Sequence, residues 1–471
     1  SRGLGDVYKR QSLNAPAYPM GAMAVVHPSR SGEIADPPAW ERLAAGFVLF
    51  MLTGALLAPV LAPDQSETPI LRLTWLPVYA LTAGLMALRF ERIIKAWPAW
   101  LLAGLLLALA FASKYWSIDP EVTQRRVIAM AINTSFALYL GAVFRDSALP
   151  RLLMQTCLVM AVGSLIMVFA YPQIGVHQAD NAGMWRGLWY EKNQMGLVMV
   201  VGAVSAAACL AAGDRRPWTA LIALGLCSLL VLASQSKTSL LCLLLGAGLV
   251  GGLWSLRRGG AVLTVAGLWG GVLLAGGAAW IWFVDSAAVL TALGKDPSLT
   301  GRTLIWESLM RRVAERPWTG YGFSAFWGRD SVPAAFVRQE TSWPVPSAHN
   351  GWIDLLVQLG WPGAVAVASV IAIAVVLIVV RLGGMGAREG YWSVAYLAVF
   401  LLLSLSESVL LNHASLPWTL MLAILARAVI FDDAQESAKL AHTSAEAYGN
   451  RPRIASDYVN GPARRRPVRL L

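Results

Sequence analysis

Basic side chains stand where long apolar runs of this chain begin or break. Arg186 lies in Trp185-Arg186-Gly187, Lys192 in Glu191-Lys192-Asn193, and Lys237 in the polar break Ser234-Gln235-Ser236-Lys237-Thr238. Arg302 opens Gly301-Arg302-Thr303-Leu304-Ile305-Trp306, and Arg125 and Arg126 precede another run. Each alone reads more readily as an interface anchor with its charge snorkelled into water. Converging from several loops, they would form a cationic pocket. Such a pocket suits a diphosphate, because arginine binds phosphate oxygens bidentately and lysine adds point charge. His349, one of five histidines, lies in Ser347-Ala348-His349-Asn350-Gly351. A neutral imidazole there can accept a proton from a sugar hydroxyl, or simply cap or anchor the run that follows. Asn350 is placed to cap a helix, and Asp354, one turn further, to orient the histidine or cap its neighbours. Glu407, expected inside an apolar run near its outer end, is costly unless paired and is expected to neutralise one of the arginines. His413, beside Asn412, is a weaker rival to His349.

Other chemistries lack their signatures. The first outer loop reads Pro63-Asp64-Gln65-Ser66-Glu67, with no D-x-D pair, and Asp432-Asp433 falls on the other side of the membrane. There is no P-loop, no G-x-S-x-G and no H-E-x-x-H. No metal and no cofactor are expected.

The elements that must position these residues follow from composition. The chain has 471 residues, of which 57% are hydrophobic and only 14% charged. Mean hydropathy is +0.57. A soluble domain is roughly 45–50% apolar and about 25% charged. Soluble globular, disordered, collagen-like and disulfide-scaffold classes are therefore excluded. Continuous apolar runs also argue against a membrane β-barrel, whose strands alternate. The fold class expected is all-α, a polytopic integral membrane protein. The net charge of +11 would suggest nucleic acid in a soluble chain. Here basic loops facing the anionic inner leaflet account for most of it, the partner is the lipid bilayer, and no nucleic acid is implied. Cys157, Cys209, Cys227 and Cys242 all lie in apolar runs without a C-x-x-C pair and read as small buried hydrophobes.

A helical span needs about 20 mostly apolar residues. Twelve candidates lie near 43–62, 73–88, 96–112, 127–144, 152–170, 188–212, 218–233, 239–254, 261–284, 351–380, 391–410 and 416–431. Lys and Arg favour the loops that would be cytoplasmic with both termini inside. The expected layout is a cytoplasmic N-terminal segment 1–42, spans one to nine over 43–284, a periplasmic loop 285–350, spans ten to twelve over 351–431, and a disordered cytoplasmic tail 432–471. Residues 1–22 show no signal-peptide pattern, and Met20 and Met23 are alternative starts, so this stretch is left out of the fold reading. The long loop is both basic and aromatic, with Trp306, Trp318, Tyr321, Phe323, Phe326, Trp327 and Trp343, and is expected to pack. Residues 303–315 have helical spacing, with Leu304, Leu309 and Val313 as the apolar face of a surface helix.

With these residues on the page, the chain resembles the O-antigen ligase family of bacterial inner-membrane proteins, which includes O-antigen and exopolysaccharide polymerases. Three features carry the resemblance: twelve spans with a long outer loop between the ninth and tenth; Gly301-Arg302-Thr303 with Trp306, followed by Arg316-Pro317-Trp318-Thr319-Gly320-Tyr321-Gly322; and His349-Asn350, nine residues, then Gly360-Trp361-Pro362-Gly363. The segments around Arg186, Lys192 and Lys237 look most like the exopolysaccharide polymerase branch. The resemblance implies a glycan donor on undecaprenyl diphosphate and an acceptor hydroxyl on lipid A–core or another glycan. It also implies metal-independent, inverting transfer at the periplasmic face of the inner membrane. By carry-over Arg302 would hold the diphosphate and His349 would activate the acceptor. Arg186, Lys192 and Lys237 would complete the anion site, with Asn350, Asp354, Trp306, Tyr321 and Glu407 in support. The competing class is a twelve-span transporter or lipid-linked glycan flippase. A transporter places its binding groups near the midplane on broken helices, whereas the polar groups here gather at one face.

Overall fold

The computed structural model describes residues 37–55, 73–145, 148–178, 181–214, 216–258, 302–383 and 385–430. In chain order the helices are α1 (Ala39–Leu52), α2 (Trp75–Leu88), α3 (Trp97–Ala112), α4 (Pro120–Val143), α5 (Ala148–Ala170), α6 (Lys192–Ala211), α7 (Pro217–Ala233) and α8 (Lys237–Arg258). They continue with α9 (Arg302–Glu315), α10 (Val332–Thr341), α11 (Gly351–Arg381), α12 (Ala387–Ser406) and α13 (Leu416–Val429). Among the described residues the only β pairing is an isolated bridge between Val176 and Trp185. Seven helical stretches are long and apolar enough to cross a membrane, and α2, α7 and α13 are shorter apolar helices. The protein is a polytopic all-α membrane protein.

Each expected span except the ninth coincides with one of these helices. The ninth, 261–284, lies outside the described residues, as do the first outer loop at 63–67, the first part of the long loop at 285–301, the N-terminal stretch to residue 36 and the tail from 431. Two boundaries differ informatively. The sixth span was expected from residue 188, but α6 begins at Lys192, because Arg186 binds the backbone of the preceding residues into a loop. The eleventh was expected to reach 410, but α12 ends at Ser406, so Glu407 sits at the helix end in extended conformation rather than inside a span.

These helices are apolar on most sides because the solvent is lipid. Leu101 and Leu105 of α3, Leu244 of α8 and Val376 and Val380 of α11 are exposed, while Ala99, Ala103 and Leu106 of α3 are buried. Outward apolar faces of that extent fit hydrocarbon and not water. Close helix approach uses small residues, as where Gly141 of α4 meets the α13 backbone at Ala423. The four cysteines are buried and unbridged. One end of the bundle is tied by ion pairs: Glu41 with Arg89 at 2.5 Å, Arg151 with Asp214 at 2.9 Å, and Arg427 with Glu389 at 2.6 Å.

The long loop is built against a break in α11. Gly360 interrupts that helix at φ 63°, ψ −166°, a conformation essentially confined to glycine. The break frees backbone groups that residues 317–322 then occupy. Tyr321 N–H donates to the Val357 carbonyl at 2.8 Å, Gly322 N–H to that of Gln358 at 3.0 Å, and Trp361 N–H to that of Pro317 at 2.8 Å. A Cβ on Gly360 would also stand 2.5 Å from the Pro317 oxygen. Gly360→Ala is therefore expected to cost at least about 1–3 kcal/mol from backbone strain alone. It should lower the melting temperature of the detergent-solubilised protein by several degrees; an unchanged melting curve would contradict this account of the motif.

The expected surface helix is present as α9, but its apolar face is shifted. Ile305, Leu309 and Val313 are buried at i, i+4 and i+8, whereas Leu304 is 55% exposed. The loop aromatics pack as expected at Tyr321, Phe323 and Phe326, while Trp318 and Trp343 stay exposed.

Candidate functional site

The end of the bundle opposite the ion pairs gathers the starts of α4, α6, α8, α9 and α11, the end of α12 and the loop before α13. At its centre is His349. Its backbone lies in the left-handed region at φ 47°, unusual for a residue with a side chain. The flanking residues fix it there. On one side the Ala348 carbonyl accepts from Trp306 Nε1 at 2.9 Å. On the other, Asn350 Oδ1 accepts from the N–H groups of Trp352 and Ile353 at 3.0 and 3.2 Å, capping α11 as the sequence suggested. Its ring stacks on Trp343, with centroids 5.9 Å apart and planes within 5°.

The partner of the imidazole is Glu407. His349 Nδ1 stands 3.5 Å from Glu407 Oε2, and Arg302 Nη2 stands 3.7 Å from Glu407 Oε1. Arg302 Nη1 also donates to the Ser406 carbonyl at 3.1 Å. One carboxylate thus stands between the arginine and the histidine, at the end of α12 rather than inside the apolar run where it was expected. The three side chains are about one-fifth exposed, accessible but largely shielded. Asp354 was expected to orient His349 or cap its neighbours; Glu407 makes the ion-pair contact with the ring, and Asp354 is near enough to interact with it electrostatically. Asp354 is buried and its Oδ1 accepts from Trp327 Nε1 at 2.6 Å.

The remaining candidates divide. A cavity of about 280 Å³ is lined by Asn193 and Gln194 at the start of α6 together with Glu407, Ser408 and Ser347. It links the Lys192 segment to the Arg302–Glu407–His349 group. Lys192 Nζ rests 2.8 Å from Met184 Sδ, and Lys237 is near enough for the two ammonium charges to repel. Arg186 donates to the carbonyls of Ile174, Tyr190 and Gln173, so it braces the loop that presents Lys192. Tyr321 stands away from the histidine. Its hydroxyl donates to Glu315 at 2.5 Å, and burial with that carboxylate raises its pKa above the usual phenol range. Its part is to hold the loop against α9. Among the described residues no group of three or more His, Cys, Asp or Glu is placed to hold a metal ion.

Sequence reasoning did not single out Trp343 as the platform for His349, or Arg126 as a partner of His413 (Nη1 to Nε2, 2.5 Å). Both contacts join residues with no motif spacing between them.

Comparison with known proteins agrees with the motifs. Residues 221–368, which contain Lys237, Arg302, His349 and Gly360, match the family model for O-antigen ligase. The exopolysaccharide production protein ExoQ of Rhizobium meliloti (strain 1021) is 25% identical over 313 residues, covering 64% of this chain and 70% of that protein. Together these support the O-antigen ligase and polymerase family of glycan-transferring membrane enzymes that the sequence resembles.

Proposed function

We propose that this protein is an inner-membrane glycosyltransferase. In this reading it moves a glycan from undecaprenyl diphosphate to an acceptor sugar hydroxyl at the periplasmic face, with both termini cytoplasmic. The observation that carries the reading is the meeting of Arg302, Glu407 and His349, from three separate elements, at one end of a membrane bundle.

The acceptor oxygen attacks the anomeric carbon from the face opposite the diphosphate. The bond from that carbon to the diphosphate oxygen breaks, and the configuration inverts. His349 takes the acceptor proton on Nε2 as the new bond forms. Glu407 fixes the ring with its proton on Nδ1 and stabilises the imidazolium that results, the part a carboxylate plays behind any catalytic histidine. Their 3.5 Å separation is of the kind catalytic pairs often show before substrate is bound. Arg302 meets the departing diphosphate, and Lys192 and Lys237, with the charge of Arg186 behind them, complete the anion site. Diphosphate is already a competent leaving group, so positioning and charge stabilisation supply most of the acceleration. Cations then do what a divalent metal would otherwise do. Transfer in washed membranes should therefore be unchanged by EDTA, and a large loss restored by added Mg²⁺ would contradict the metal-independent reading.

The decisive experiment is a deletion strain in which undecaprenyl-diphosphate-linked glycans and lipopolysaccharide are both sized. Single repeat units without polymer identify a polymerase. Long polymer stranded on the carrier beside bare lipid A–core identifies a ligase. Unchanged profiles of both would overturn the transferase reading.

A further inference from the structure

The start of α6 is capped from another segment. Its own cap residue, Glu191, makes no side-chain bond to the helix. The first helical N–H, that of Lys192, donates instead to His177 Nε2 at 3.2 Å. The His177 side chain is only 9% exposed. The transfer mechanism above gives this buried ring no part.

The same histidine reaches the other end of the lysine. Its backbone N–H donates to the Met184 carbonyl at 2.9 Å, and its carbonyl accepts from Gly183 N–H at 3.0 Å. These bonds fix Met184, whose Sδ lies 2.8 Å from Lys192 Nζ. Lys192 is thus held at its amide by the ring and at its ammonium through Met184. The loop is also set against α8. Trp185 N–H donates at 3.2 Å to the Ala233 carbonyl, just before the break that carries Lys237. Gly196, one turn into α6, leaves no room for a Cβ against Ser239 of α8. The spacing of the two lysines is therefore fixed by the loop that His177 anchors.

An imidazole nitrogen accepts a hydrogen bond only while it carries no proton. Protonation of His177 would replace the bond to Lys192 by one N–H facing another. It would also set a positive charge against the positive end of the α6 dipole. Arg186 of the same loop, Lys192 and Lys237 all repel an added positive charge here. Glu191 is the one group that attracts it, with Oε2 half exposed and 3.9 Å from Nε2. An imidazolium would turn to that carboxylate and away from the helix.

We propose that His177 is a positioning residue whose neutral ring holds Lys192 at the anion site, and that acid releases it and weakens the grip on the lipid diphosphate. This rests on the transferase reading above, which places Lys192 at the diphosphate of the donor. It adds a pH dependence separate from that of His349, since His177 acts on donor binding and His349 on proton transfer.

The test uses the full-length protein in detergent. Hydrogen exchange of the α6 start and binding of undecaprenyl diphosphate are read at about pH 8 and about pH 5.5, spanning the range in which histidine titrates. In the wild type, protection of the amides of residues 192–195 should fall on acidification, after correction for intrinsic rates. His177→Gln keeps an acceptor that does not titrate and should hold that protection at both pH values. At the higher pH, His177→Leu should bind undecaprenyl diphosphate about fivefold more weakly than wild type, the effect of one lost helix cap. His177→Gln should bind like the wild type there and more tightly than it at the lower pH. The ratio of the two proteins cancels the titration of the lipid's own phosphates, and it reads the proposal even where the leucine variant fails to fold. His177→Leu/Lys192→Met should bind no more weakly than Lys192→Met alone, because the histidine acts through the lysine. The inference is overturned if wild type and His177→Gln show the same exchange at both pH values, or if the losses of His177→Leu and Lys192→Met add. If the exchange pattern holds but Lys192→Met binds the lipid as tightly as wild type, the place of Lys192 in the anion site fails and the acid-released cap stands.

Discussion

His349→Ala should lower glycan transfer by about 10²–10⁴-fold, the usual contribution of a positioned general base, while the protein still inserts in the membrane. The expectation rests on the cost of the local structure. A histidine at φ 47° is held there by the Trp306 bond to Ala348, the Asn350 cap and the Trp343 platform. That much support for one strained side chain is characteristic of a site where orientation matters. His349→Gln, which keeps a polar side chain of similar reach without a basic imidazole, should be nearly as inactive as the alanine variant. Glu407→Gln should lower kcat with little change in KM, because the carboxylate acts through the ring. The double variant His349→Ala/Glu407→Gln should be no worse than His349→Ala alone, since residues that act as a unit are not additive. Near-normal transfer by His349→Ala would remove the histidine from the mechanism. Strictly additive losses would separate Glu407 from it.

The parts legible in the sequence were those with local signals. Apolar runs of span length located the helices, because lipid demands internal backbone bonding and an apolar exterior at once. The Asn350 position announced a helix cap, and the two loop motifs stood out as the features that carry the family resemblance. The spacing did not reveal that those motifs touch, with Gly320 against Gln358 and Gly360 against Pro317. That contact depends on how a loop folds back on a helix almost 40 residues later. The choice of Glu407 over Asp354 as the partner of His349 was illegible for the same reason. Asp354 is one helical turn away in sequence, yet its Oδ1 takes the hydrogen bond from Trp327 Nε1 while Glu407 makes the ion-pair contact with the ring. Glu407 arrives from the end of another helix, at a boundary that hydropathy alone placed several residues too late. Arg126 and His413 are 287 residues apart, and only the parallel packing of α4 and α13 brings them together.

Arg302→Ala should cost about 10²–10³-fold in transfer, the scale of losing one preorganised group at a centre of developing charge. Here the expected pattern of variants is more telling than the size of the loss. In the resting enzyme Arg302 is divided between the Ser406 carbonyl and Glu407, with the carboxylate at 3.7 Å rather than in a tight bidentate pair. A loosely held guanidinium of this kind can turn toward a doubly charged leaving group without first breaking a strong ion pair. Arg302→Lys keeps the charge but loses the planar fork, so it should recover only part of the activity, with the deficit falling on kcat/KM for the lipid-linked donor. The loss in the alanine variant should therefore exceed that in Arg302→Lys, because alanine removes both the charge and the fork at the leaving group. Release of undecaprenyl diphosphate in membranes, measured for all three proteins, gives the comparison. Equal activity of Arg302→Lys and wild type would reduce Arg302 to a point charge. Equal activity of Arg302→Ala and wild type would move the diphosphate site elsewhere in the molecule.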